Sequence, residues 1–136
     1  MFKQLKTSFI QTTLGSTIWV TLLATLIFNN KEVPFTFFWH IIAIGILFGI
    51  SFGILYPYCW KFSTFNAFTN ITMTTTINSL CGLLSVYLFS TEMFSRLVPF
   101  IGGIVLLTFI AHLIAFYFYS KYENNKKTKQ LNQLLS

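Results

Sequence analysis

Four long apolar stretches, joined by short polar connections, make up most of the chain. They run from about residue 9 to 28, 37 to 57, 67 to 89 and 97 to 119. Each has about 20 residues, and at about 1.5 Å per residue a helix of that length crosses the hydrocarbon core of a bilayer. The pattern therefore predicts an all-α integral membrane protein with a single membrane domain over residues 1–136, of which 120–136 form a polar tail.

The connections between these stretches are short, and the last of them contains Glu92 and Arg96. Short connections join helices that are neighbours and run in opposite directions. The simplest arrangement is an antiparallel four-transmembrane-helix bundle. No internal repeat is strong enough to indicate an inverted-repeat transporter, although a homo-oligomer could still build a larger pore.

The composition favours a membrane location and argues against a soluble one. Hydrophobic residues make up 54% of the chain and charged residues only 9%, whereas about 25% of the residues of a soluble domain are charged. The formal net charge of +6 could suggest nucleic acid, but a nucleic-acid reader needs its basic residues clustered on a water-exposed face. Here the basic residues flank apolar segments, so we expect no direct nucleic-acid binding.

The distribution of basic residues predicts the orientation. Cytoplasmic segments carry an excess of Lys and Arg. Seven basic residues fall on the side that holds both termini and two on the other: Lys3, Lys6, Lys61, Lys121, Lys126, Lys127 and Lys129 against Lys31 and Arg96. We therefore expect a multi-pass protein of a bacterial cell membrane with both termini in the cytoplasm.

Gly45, Gly49 and Gly53 recur every fourth residue along the second stretch and share one helix face. Such a face lets another helix backbone approach closely. One interpretation is a seam for self-association or for a partner. The favoured one is helix packing within the chain, because a four-helix bundle already needs such a face.

The third stretch is unusually polar for a membrane helix. Asn70, Thr74 and Asn78 share a face, and unsatisfied amides are costly in hydrocarbon, so this face should turn inward. His112 of the fourth stretch is expected to bond to it as a neutral imidazole, with a proton-linked switch as the alternative. The face itself is interpreted as interhelical hydrogen bonding, with a polar transport path as the alternative.

Catalytic, metal and redox sites are not expected. At about 1.5 Å per residue, His40 and His112 lie about 18 Å apart in depth, and Cys59 and Cys81 about 20 Å apart. These separations are too large for a shared metal or for a disulfide. The three carboxylates, on Glu32, Glu92 and Glu123, lie at or outside the membrane surfaces. We predict no catalytic residue, no metal and no cofactor.

The inner connection and the tail are the candidate contact surface for a cytoplasmic partner. The predicted contact residues are Trp60 and Lys61 in the connection, and Lys126, Lys127 and Lys129 in the tail. Leu131, Leu134 and Leu135 recur at helical spacing, so the tail either continues the fourth helix as a short amphipathic helix or ends as a solvated, frayed segment. The frayed segment is the favoured interpretation.

The chain also resembles a bacterial family of small four-helix membrane proteins of unknown function that are commonly encoded beside LytTR-type DNA-binding regulators. The resemblance rests on the basic start followed by residues 15–18, the glycine-rich second stretch, the segment CWKFSTFNAF and the ending HLIAFYFYSKYENNKKTKQLN. It implies a non-enzymatic membrane protein that regulates or sequesters a LytTR-type transcription regulator. The alternative is a subunit of a small oligomeric transporter or flippase.

Overall fold

Helices account for nearly all of the structure, a computed structural model that describes residues 1–29 and 31–135. Four helices are long and apolar enough to cross a membrane, and we number them spans 1 to 4: Phe2–Ile27, Phe37–Phe62, Ala67–Phe89 and Thr91–Leu134. The described residues contain no strand. The predicted all-α class and the four membrane-length helices are confirmed, and they indicate a multi-pass membrane protein.

Large apolar side chains cover the outside of these helices. Trp19 is 62% exposed and Leu107 is 69% exposed, and neighbouring positions on spans 1 and 4 are similar. A soluble protein of this size rarely exposes continuous apolar patches of more than a few hundred Å². A lipid environment removes the cost of this exposure.

Three of the helices extend beyond the apolar stretches. Span 1 begins at Phe2, span 2 continues to Phe62, and the last helix, Ile101–Leu135, continues far beyond Tyr119. The apolar stretch marks only the part of a helix that suits lipid. Once a helix has formed, each added residue contributes one more backbone hydrogen bond. The helix therefore ends where a residue interrupts this hydrogen bonding rather than where the hydropathy falls.

Span 2 changes its helix type halfway along. It is α-helical over Phe37–Phe48 and π-helical over Gly49–Leu55 and Tyr58–Phe62. Pro57 lies between the two π-helical segments, where it has no N–H to donate and where its ring would crowd the carbonyl four residues back in an α-helix. The Tyr56 N–H donates instead to the carbonyl of Ser51, five residues back. The wider helix accommodates the proline, and π-helical turns are frequent at functional sites.

The glycines of span 2 lie directly against span 1. A Cβ on Gly45 would meet Thr17, one on Gly49 would meet Thr13, and one on Gly53 would lie 2.6 Å from the Cα of Phe9. The order of these contacts shows that the two helices run in opposite directions. Further along the same interface, four buried apolar residues form a small core: Val20, Ala24, Ile41 and Ile44.

The predicted connection between the third and fourth apolar stretches is helical rather than a loop, and it forms the start of span 4. Ser90 caps the short helix Thr91–Leu97, its hydroxyl accepting from the Met93 N–H at 3.3 Å. Within this helix Arg96 pairs with Glu92 at 2.6 Å, one turn apart, and both side chains are exposed. An exposed pair of this kind contributes only about 0.3–0.5 kcal/mol. The pair is therefore a minor contribution to the stability of this short helix.

Candidate functional site

The buried imidazole of His112 joins span 4 to span 2. His112 is 7% exposed, its Nδ1 lies 2.7 Å from the carbonyl of Thr108, and its Nε2 is hydrogen-bonded to the Tyr56 hydroxyl. A neutral imidazole donates through one ring nitrogen and accepts through the other. One tautomer satisfies both bonds: Nδ1–H donates to Thr108, and the Tyr56 O–H donates to Nε2. In this tautomer both ring nitrogens of His112 are paired.

This partner differs from the expected one, which was the Thr and Asn face of span 3. Tyr56 lies at the end of the second apolar stretch, next to Pro57, and it is not among the predicted site residues. A spacing signal does exist, since Tyr56 and Trp60 in span 2 are four residues apart, as are His112 and Phe116 in span 4. Side chains four apart share a helix face, so the two pairs can meet.

Aromatic rings continue the interface between spans 2 and 4 towards the chain termini. The Trp60 ring lies 5.6 Å from that of Tyr56, 5.7 Å from Phe116 and 5.2 Å from Tyr119, measured between ring centroids. The Tyr119 hydroxyl also donates to the Trp60 carbonyl at 3.2 Å. Trp60, a predicted partner contact, therefore packs largely within the chain. Lys61 beside it is exposed.

The predicted polar face of span 3 is largely buried. Asn70 is 4% exposed and Thr74 is fully buried, whereas Asn78 is half-buried. The Asn70 side chain accepts from the Ser63 hydroxyl at 3.3 Å and donates to the Phe65 carbonyl at 3.4 Å, and Thr74 donates to the Asn70 carbonyl at 2.7 Å. The two side-chain bonds of Asn70 fix the start of span 3 to the connection before it, and the Thr74 bond lies within span 3. They do not join Asn70 and Thr74 to His112.

Two buried hydroxyls on span 3, those of Thr75 and Ser79, have no hydrogen-bond partner among the described residues. Ser51 is fully buried within the first π-helical segment, and its hydroxyl lies within hydrogen-bonding reach of the Cys81 thiol on span 3. An unsatisfied buried polar group costs about 1–3 kcal/mol. The interior of span 3 therefore has unused hydrogen-bonding capacity at Thr75 and Ser79.

The tail is helical, so the favoured prediction of a frayed segment is wrong. We define the arm as residues 120–135, the last part of the helix Ile101–Leu135; it is about 24 Å long at about 1.5 Å per residue. The three predicted contact lysines, Lys126, Lys127 and Lys129, are exposed. Leu131 and Leu134 are 60% and 83% exposed and share a face. The side chain of Leu135, and Ser136, lie outside the described part of the chain.

No group of three His, Cys, Asp or Glu residues within the described ranges could hold a metal ion. Cys59 and Cys81 are both free thiols. No protein-family model, no curated protein and no solved structure matches this chain. The functional argument therefore rests on the residues and contacts described above.

Proposed function

We propose that this chain is a non-enzymatic protein of the bacterial cell membrane that holds a LytTR-type transcription regulator at the membrane through its helical arm. The observation that carries the proposal is the continuation of span 4 as one helix to Leu135. A preformed helix loses less conformational entropy on binding than a frayed tail, so it makes a better docking element. The resemblance to the LytTR-associated family supplies the class of partner.

In this proposal the spans form an antiparallel four-helix bundle with both termini in the cytoplasm. Three contacts support the arrangement: Gly53 lies against Phe9, Phe37 packs against Phe89 at 5.8 Å between ring centroids, and Tyr56 bonds to His112. Seven of the nine basic residues then lie on the cytoplasmic side, as the positive-inside rule requires. The arm extends into the cytoplasm, where a DNA-binding regulator is found.

The chemistry of the arm fits a partner with an acidic, partly apolar groove. Its exposed leucines, Leu131 and Leu134, can enter an apolar groove, while Lys126 and Lys129 lie three residues apart on another face. Charge complementarity of this kind speeds association and selects against basic partners. The apolar contacts would supply most of the affinity.

Changing the arm is expected to release the regulator. In a pull-down with the LytTR-type regulators of the same genome, Leu131→Asn with Leu134→Asn should lower recovery by about tenfold or more, the equivalent of about 1.4 kcal/mol. Because both side chains are exposed, the change should leave the spans folded. The matched control is Thr128→Asn with Asn132→Gln, two exposed polar positions of the arm centred on a different face from the leucines, which should leave recovery unchanged. Equal recovery with intact and altered arms would contradict the proposal.

A second candidate is a subunit of a small oligomeric transporter or flippase. The unpaired buried hydroxyls of Thr75 and Ser79 favour it, because a polar path through lipid needs such groups. Asn70→Leu with Asn78→Leu should then abolish passage of a fluorescent lipid or solute across reconstituted vesicles. A regulator should show no such passage even in the wild type, and the double variant should lose only stability. Wild-type transport that the double variant abolishes would replace the first proposal by this one.

A further inference from the structure

An apolar groove opens between spans 1, 2 and 3 near the ends that lie opposite the chain termini. Its volume is about 320 Å³, and its walls are almost entirely hydrocarbon. Six of the wall residues carry the argument: Val20, Leu23, Ile44, Phe48, Gly82 and Phe89. Gly82 contributes no side chain, and a Cβ built on it would meet no atom within 4 Å. The groove is therefore open at Gly82.

A second cavity of about 610 Å³ adjoins the groove at Phe89, which lines both; its walls are mostly apolar but include charged and polar side chains. This mouth lies among the connections, with Lys31, Glu32, His40, Ser90 and Glu92 on its walls. Cations and carboxylates are both present. Glu92 forms an exposed pair with Arg96, whereas Lys31 and Glu32 are adjacent residues of the first connection and both line the mouth.

The two cavities together match the shape and polarity of a phospholipid. The groove reaches from Val20 to Ile27 along span 1, about 10 Å of depth at 1.5 Å per residue, within one leaflet of a core about 30 Å thick. At that depth the protein is surrounded by lipid hydrocarbon. An acyl chain can therefore fill the groove without breaking a hydrogen bond to water or to the protein. Its headgroup then lies in the mouth.

The charges of the mouth select the headgroup. Lys31 can pair with a phosphate oxygen and the adjacent Glu32 with an ammonium group, so a zwitterion leaves neither charge alone. We propose that this chain binds one phospholipid with a phosphoethanolamine headgroup, with an acyl chain in the groove and the headgroup between Lys31 and Glu32. The proposal is independent of the cytoplasmic partner, because the site lies at the opposite end of the helices.

Filling the groove should expel the lipid. The test is native mass spectrometry of the full chain, purified in detergent with equal amounts of phosphoethanolamine and phosphoglycerol lipids. The wild type should retain the phosphoethanolamine lipid about tenfold better. Gly82→Phe should remove this preference, because the ring enters the groove. The matched control is Gly103→Phe. A Cβ on Gly103 also meets nothing within 4 Å, but Gly103 does not line the groove, so this variant should keep the preference for the phosphoethanolamine lipid.

A second pair of variants keeps the test decisive if Gly82→Phe does not fold. Lys31→Gln with Glu32→Gln alters two exposed residues of a connection, so folding is not at risk. It should abolish the preference for phosphoethanolamine, whereas Lys121→Gln on the arm should not. Equal retention of the two lipids by the wild type, or an unchanged preference in both the groove and the mouth variants, would overturn the proposal.

Discussion

Gly53→Leu is expected to separate span 1 from span 2 and to leave little folded protein. A Cβ at this position would lie 2.6 Å from the Phe9 Cα and 2.9 Å from the Phe9 nitrogen. These are backbone atoms, which cannot rotate away as a flexible side chain can. Overpacking typically costs about 1–3 kcal/mol where neighbours can adjust, so we expect a loss at or above the upper end. The measurement is the free energy of unfolding in micelles.

Gly103→Leu is the matched control, because a Cβ on this membrane-helix glycine meets no atom within 4 Å. Replacing a helical glycine by a better helix former contributes up to about 1 kcal/mol of stability. The control should therefore be neutral or slightly stabilising. If Gly53→Leu unfolds at the same denaturant concentration as Gly103→Leu, spans 1 and 2 do not pack at this glycine.

Tyr56→Phe is expected to destabilise the protein by about 1–3 kcal/mol, because it leaves the buried Nε2 of His112 without a donor. His112→Leu should cost a similar amount, since it leaves the Tyr56 hydroxyl unpaired. The double variant should cost clearly less than the two single changes together, because the bond is lost only once. Thermal unfolding of all four forms in the same detergent measures this coupling.

Tyr58→Phe is the control for the tyrosine change. Tyr58 is two residues along the same helix and 40% exposed, so removing its hydroxyl should alter stability by at most about 0.5 kcal/mol. If the effects of Tyr56→Phe and His112→Leu simply add, spans 2 and 4 are not joined by this hydrogen bond.

The sequence predicted the number of helices and their apolar centres, but not where the helices end. Hydropathy reports which residues suit lipid, and the apolar stretches end near Pro57 and Tyr119 because more polar residues follow. Helix ends depend on hydrogen bonding instead. The bond from Tyr56 to the Ser51 carbonyl carries span 2 past the proline, and the absence of Gly and Pro after Gly103 lets the last helix continue to Leu135.

The contacts of the candidate site were predicted only in part. The spacing of Gly45, Gly49 and Gly53 identified a face on which a backbone can approach, and span 1 is the helix that lies against it. His112 was identified as unusual, yet its partner could not be deduced. The depth of a residue in the membrane follows from counting residues along its helix. The direction in which its side chain points depends on how the helix packs. The π-helical turns of span 2 also change the direction of Tyr56 from that in a regular α-helix.

The position of the helical arm is the central claim, because an arm outside the cell could not hold a cytoplasmic regulator. It is tested by labelling single cysteines in intact cells with a membrane-impermeant maleimide, after Cys59→Ala and Cys81→Ala. Val33→Cys, in the exposed first connection, should be labelled in intact cells. Thr128→Cys, exposed on the arm, should be labelled only after the membrane is permeabilised. Labelling of Thr128→Cys in intact cells, with Val33→Cys protected, would contradict the account.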